Sequence, residues 1–296
     1  MTSSPRPSPR GSRWLRIAAA MAGTALAMPL LLNAGAATAD STVNYVALGD
    51  SFVSGPLIPH QIDLPCGRSD HNYPHLTAAA IGAQLTDISC GGARIQDMTT
   101  AQHPATTPQF AALSSDTDLV TIGIGGNDLP FGEVVGVCGA LGAVNRYGRP
   151  CTDYYHRGGE DELARRMNEE LLPELTAVVN GIQERAPHAR VLFVGVPSVL
   201  PESGSCWGPN VTVAPGDYPY LVKVTKNLNS TFAEAATTAG AEFVDIYPNS
   251  LGHDLCTPTG TRWVEGIFPG EPASPVHPNA LGMRGAAQVV AKAVTG

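Results

Sequence analysis

Four short apolar runs punctuate the chain: Tyr45–Leu48, Leu119–Ile124, Val191–Val196 and Phe243–Ile246, with a weaker one near Leu85–Ser89. Most are continuous rather than alternating, the pattern of strands covered on both faces. Between them apolar residues recur at helical spacing over 74–83, over 161–185 with acids in the first turn, and over 220–239, where Gly240 ends the pattern. A last helical pattern follows Pro278 and runs to about Val294. This alternation predicts an α/β fold, a three-layer α/β/α sandwich around a central parallel sheet of about five strands. The Gly/Pro-rich stretches 54–67, 138–159, 201–219 and 248–275 read as loops, and there is neither an internal repeat nor an interdomain linker. Ligands of open parallel sheets bind outside the carboxyl ends of the strands.

The first 39 residues stand apart. Arg6, Arg10, Arg13 and Arg16 precede an apolar stretch from Ile17 to Leu32, and Ala37-Thr38-Ala39 then offers a small-x-small cleavage site before Asp40. These are the parts of a secretory signal peptide. A membrane anchor is the competing reading, but alanines dominate the stretch and the cleavage signature follows directly. Residues 1–39 are therefore expected to be removed, leaving 40–296 as a single secreted domain without a stable membrane anchor.

Removing that segment takes four arginines and no acid, and the formal net charge moves from −8 to −12. So acidic a surface argues against nucleic acid and anionic lipid head groups as electrostatic partners. All six cysteines, at 66, 90, 138, 151, 206 and 256, follow the segment. In an exported chain an even number reads as disulfides. Short loops around an α/β core most easily join consecutive cysteines, which predicts Cys66–Cys90, Cys138–Cys151 and Cys206–Cys256. No C-x-x-C pair and no H-E-x-x-H occurs, so zinc is not expected. "DHNY" (70–73) resembles a metal motif, but its spacing is poor for convergence.

Chemistry concentrates where the predicted strands stop. "YVALGDS" ends the first with Gly49, Asp50 and Ser51; "SCGGA" (89–93) ends the weak second; "IGGND" (124–128) ends the third; "SPVHPNALG" (274–282) places His277 just before Pro278, which suits the first position of the last helix. A serine hydroxyl needs a neighbouring base to act as a nucleophile. An imidazole can take its proton and return it to a leaving group. A tetrahedral oxyanion needs preorganised donors, and the N–H of Ser51, the N–H of Gly92 and the amide of Asn127 are three candidates. Asp50 and Asp128 read as turn residues. "PLIP" (56–59) and "GIFPGEP" (266–272) read as loop packing or as acyl-pocket lining.

These four blocks, in this order, resemble those of the SGNH/GDSL hydrolases, from about Tyr45 to the end of the chain. The six cysteines and the "YVALGDS" opening make it similar to the secreted actinobacterial lipase/esterase branch. The resemblance implies a flavodoxin-like sandwich, no metal or other cofactor, and an acyl-enzyme on Ser51 with His277 as general base. It assigns Ser51, Gly92 and Asn127 to the oxyanion hole. One position departs from it. Many members carry an aspartate three residues before the histidine, where this chain has Ser274. A Ser–His dyad is therefore expected, with the main-chain carbonyl of Ser274 orienting the ring.

The leading function is a secreted ester hydrolase acting on lipid or short acyl esters, as a monomer. The same fold would also serve a phospholipase or a carbohydrate O-acetyl esterase. Aromatic residues form only 6% of the chain, which favours acyl chains over sugar platforms. A non-catalytic secreted binding protein is the reading from another class. No G-x-S-x-G elbow exists, which disfavours the α/β-hydrolase fold.

Overall fold

The computed structural model describes residues 42–296; the expected signal peptide lies outside the described residues. The chain runs β1 (Asn44–Gly49), α1 (Ser51–Ser54), an antiparallel hairpin of β2 (Gln61–Asp63) and β3 (Arg68–Ser69), α2 (Tyr73–Ile81), β4 (Gln84–Asp87) and β5 (Leu119–Gly123). It continues through α3 (Phe131–Val144), α4 (Pro150–Tyr155), α5 (Glu162–Arg166), α6 (Leu172–Arg185), β6 (Arg190–Val194), α7 (Tyr218–Thr238), β7 (Glu242–Val244) and α8 (Ala280–Thr295).

The central sheet has the order β4-β1-β5-β6-β7, and every neighbouring pair is parallel. From β1 the chain goes first to one side and then returns to the other, so the winding reverses between β1 and β5. That is the flavodoxin order, and the crevice at the reversal is where such sheets place ligands. Adjacent strand residues enter opposite cores. Tyr45, Ala47, Leu192 and Val194 pack with Ala78 of α2 and Met283 and Val290 of α8. Val46, Leu48, Ile122 and Phe193 pack with Leu175 and Ile182 of α6 and Leu228 and Phe232 of α7. Each such side chain, fully buried, contributes about 1.5–3 kcal/mol, which is why the strands read as unbroken apolar runs.

Several elements differ from expectation. The strand predicted over 191–196 ends at Val194, because Asn229 of α7 takes over the pairing: Val196 N–H donates to its Oδ1 (2.8 Å) and its Nδ2 donates to the Val196 carbonyl (3.0 Å). The helix predicted over 161–185 carries a π turn at Met167–Leu171. Pro173 lies just beyond it, and a proline removes an N–H and crowds the carbonyl four residues earlier. The stretch 138–159, read as loop, holds the second half of α3 and all of α4. Four glycines lower the helix propensity of α3 by about 1 kcal/mol each relative to alanine. Gly142 is required by packing, since a Cβ there would lie 2.2 Å from the Thr212 carbonyl oxygen.

Pro278 does not open α8. Asn279 is the N-cap, its Oδ1 accepting from the N–H groups of Leu281 and Gly282, so the helix begins at Ala280. The cysteines pair as 66–90, 138–151 and 206–256. The first bridge ties the segment after α1 to the turn after β4, and the second joins α3 to α4.

Candidate active site

The position of Ser51, the candidate nucleophile, is built from main chain. Gly49 closes β1 with φ +145°, and a Cβ there would lie 2.4 Å from the Gly123 carbonyl oxygen, so only glycine fits. Asp50 N–H donates to that carbonyl (3.0 Å), and the Asp50 carboxylate caps α1 by accepting from Phe52 N–H (2.9 Å). Ser51 is thus the first residue of α1, buried at the switch point. Gln109, itself buried, clamps the peptides of Gly49 from the side: Gly49 N–H donates to its Oε1 (2.7 Å) and its Nε2 donates to the Gly49 carbonyl (2.9 Å).

His277 arrives from the far end of the chain, 226 residues away, and its Nε2 lies 2.7 Å from Ser51 Oγ. Its Nδ1 donates to the main-chain carbonyl of Pro275 at 2.7 Å. That bond puts the proton on Nδ1 and leaves the Nε2 lone pair facing the serine. The accepting carbonyl is therefore Pro275's and not Ser274's. The Ser274 carbonyl is occupied by the main-chain N–H of His277 (3.2 Å), which closes a four-residue turn. Proline second and a positive φ third (Val276, +58°) are the marks of a type II turn. Its central carbonyl is left out of the turn's own bond and meets the ring. Among the described residues no carboxylate hydrogen-bonds to the ring. Burial pushes the His277 pKa down, against the partial support of the Pro275 carbonyl, so the imidazole stays neutral to lower pH than a free one.

Among the described residues the N–H groups of Ser51 and Gly92 have no protein acceptor. Asn127 donates one amide hydrogen to the Ala93 carbonyl (2.9 Å) and has a second to spare. That bond links the "IGGND" and "SCGGA" turns. Ser51, Asn127 and His277 line one cavity of about 190 Å³. Its lining is mostly apolar, including Val194, Val196, Leu228, Phe232, Ile246 and Trp263. Gly92 has φ +78° and is exposed, and it is not among the residues that line the cavity shared by the other three.

Two supports escaped the sequence reading. Gln109 sits in a loop with no periodic or motif signal. Asn279 carries a legible one, an asparagine just ahead of a helix. Its Nδ2 donates to the Arg262 carbonyl (3.0 Å) and to Oε1 of Glu265 (2.7 Å), a fully buried carboxylate whose own N–H donates to the His277 carbonyl (2.9 Å). Asp50 and Asp128 keep turn roles; both Asp128 oxygens accept from Ile95 N–H at 3.2 Å. Burial raises the Asp50 pKa to about 7, with the Phe52 N–H opposing and Asp128 adding to the shift.

A serine and a histidine meeting at the switch point of a flavodoxin-order sandwich, beside free amide hydrogens, define the arrangement of a serine hydrolase. The chain belongs to the GDSL-like Lipase/Acylhydrolase family, whose model matches residues 47–284. It is 41% identical over 287 residues to Lipase 2 of Streptomyces coelicolor, covering 94% of this chain and 95% of that protein. Among solved structures it is similar to phospholipase A1 from Streptomyces albidoflavus (TM-score 0.70, 26% identity, 85% of this chain and 99% of that one). It is also similar to the extracellular lipase of Streptomyces rimosus (TM-score 0.69, 29% identity, 85% and 100%). The protein is a carboxylic-ester hydrolase.

Proposed function

We propose that this ester hydrolase works through an acyl-enzyme on Ser51. His277 Nε2 takes the Oγ proton as the oxygen attacks the acyl carbon. The oxyanion is met by the N–H groups of Ser51 and Gly92 and by the Asn127 amide, each such donor being worth about 2.7–4 kcal/mol in the transition state. The proton then passes from Nε2 to the leaving alkoxide, and water repeats the sequence to release the acid. The Pro275 carbonyl orients the ring and stabilises part of the imidazolium charge, the work an aspartate does in a triad. The observation that carries this reading is the 2.7 Å contact between Ser51 Oγ and His277 Nε2 in the lining of a mostly apolar cavity.

The cavity supports substrates with an apolar acyl chain over acetylated sugars. An acetyl group would leave most of its aliphatic wall uncovered, whereas a longer chain gains about 0.8 kcal/mol per buried methylene. A phospholipid presents the same acyl half, and the solved relative named phospholipase A1 keeps that substrate in view. Among the described residues no helix is long and apolar enough to cross a membrane. The three disulfides and the segment 1–39 support export of residues 40–296.

The test is a panel of p-nitrophenyl esters from C2 to C12 with organophosphonate labelling. Turnover should rise beyond C2, and the label should sit on Ser51. Ser51→Ala should lose roughly 10⁴–10⁶ in kcat. Retained turnover in Ser51→Ala, or a label elsewhere, would overturn the mechanism.

A further inference from the structure

Outside the active site, the hairpin of β2 and β3 creates a cluster that sequence spacing could not show. Asp70 and His71 are consecutive and follow β3; His60 precedes β2. Folding the hairpin sets both imidazoles around one carboxylate oxygen: Asp70 Oδ1 lies 2.5 Å from His71 Nδ1 and 3.8 Å from His60 Nδ1. One potential donor atom from each residue lies within 4.8 Å of the others. The two rings stand edge to face, with centroids 5.2 Å apart.

The backbone beneath them is fixed. Asp70 N–H donates to the His60 carbonyl (3.1 Å), His71 N–H to Ser69 Oγ (3.0 Å), and Gln61 pairs with Ser69. The Cys66–Cys90 bridge holds the hairpin's far end. Only exposed side-chain torsions are left to adjust. Other histidines near carboxylates, His75 by Asp87 and His156 by Asp161, offer pairs. Among the described residues only this group supplies three donors.

We propose that His60, Asp70 and His71 form a surface site for a borderline divalent transition ion, with Zn²⁺ as its probe and water in the fourth position. Two imidazoles and a carboxylate suit zinc, copper or nickel and not calcium or magnesium, which take all-oxygen sets. Tetrahedral ligand bonds of about 2.0–2.1 Å put neighbouring donors about 3.3 Å apart. His60 Nδ1 reaches that spacing by closing in from 3.8 Å, and His71 Nδ1 by backing off from 2.5 Å. Binding replaces the His71–Asp70 hydrogen bond with two metal bonds, so His71 must carry its remaining proton on Nε2. The ion would pin a segment tied to both halves of the active site: Asn72 Nδ2 donates to the Ser54 carbonyl at 3.3 Å, and Ser274 N–H donates to the Pro56 carbonyl at 3.1 Å.

Calorimetric titration of the untagged, oxidised, chelator-treated protein with ZnCl₂ tests the site without reference to ester turnover. One equivalent should bind in the micromolar range, while CaCl₂ gives no heat. His60→Ala, Asp70→Asn and His71→Ala should each weaken binding by roughly tenfold or more, since even outer partners of metal ligands cost 10–100-fold. At ten times Kd, zinc should raise Tm by about 3–6 °C in the wild type and not in His71→Ala. Because all three side chains are at the surface, the metal-free Tm of each variant should match wild type. Absence of binding at 100-fold excess over the protein, or stoichiometric binding that survives any one of the three substitutions, would overturn the proposal.

Discussion

The two halves of the proposed catalytic pair are held differently. Ser51 stands on main chain: a glycine that nothing else can replace, an N–H bonded across to β5, and a clamp from Gln109 on the end of β1. His277 stands on a strained turn with side chains behind it: Val276 at positive φ, the Pro275 carbonyl on the ring, and the buried Glu265–Asn279 pair. A β-branched residue at positive φ costs on the order of 1–3 kcal/mol. The sheet supplies the serine's geometry as a by-product of strand pairing. The histidine's geometry has to be assembled, and its cost is carried by the surrounding network.

The comparison sharpens first through pH. The Asp50 carboxyl, under the serine, is raised from 3.8 to about 7 by burial. The native state therefore holds its proton longer than the unfolded chain. Its contribution is full below about pH 4 and is lost as pH climbs through about 7. The shift of about three units corresponds to an order of 4 kcal/mol. Chemical denaturation of wild type and Asp50→Asn across pH 4–8 should show the difference between them widening as pH rises, in favour of the asparagine. A flat difference would contradict it.

On the histidine side, Asn279→Ala removes the α8 cap and leaves a buried Glu265 oxygen without its donor. A loss of about 2–4 kcal/mol is expected in urea melts, together with a drop in kcat at constant fold. On the serine side, Gln109→Leu strands the buried Gly49 N–H, while the Gly49 carbonyl keeps its bond from Cys90 N–H (3.0 Å). That should cost about 1–3 kcal/mol. If Gln109→Leu proved the more damaging to kcat, the division into a rigid serine and an assembled histidine would fail. The acid limb of kcat/KM should fall below pH 6.5, because burial lowers the His277 pKa and the base must be neutral. The smallest effect belongs to Ser274→Ala. Only the main chain of Ser274 is used, so kcat should stay within about twofold of wild type.

The same division explains what the sequence could tell. Ser51 and Asn127 follow strands whose apolar runs are unmistakable, so the ends of those strands mark them. The five parallel strands and most helices are legible for the same reason. The helix α3 is not, because close approach of Gly139 and Gly142 to residues 212–214 favours glycines that lower helix propensity, and α4 is a six-residue helix too short to show a period. The orienting carbonyl was placed one peptide too early. Which carbonyl meets the ring depends on the sign of φ at Val276, and no residue type there announces it. The Gln109 clamp joins residues 60 apart, beyond any local pattern.

Covalent chemistry closes a circuit between these regions. Cys66 belongs to the segment that leaves the nucleophile, Cys90 to the turn that carries Gly92, and Gly91 N–H leans on the Cys66 carbonyl at 2.7 Å. Sulfur oxidation thus becomes a step in finishing the proposed anion cradle. A freshly translated chain with free thiols would hold its serine in place while that corner of the cradle waited for an electron acceptor. In such a design, with Gly92 in its proposed role, the redox climate of a compartment would bear on ester turnover.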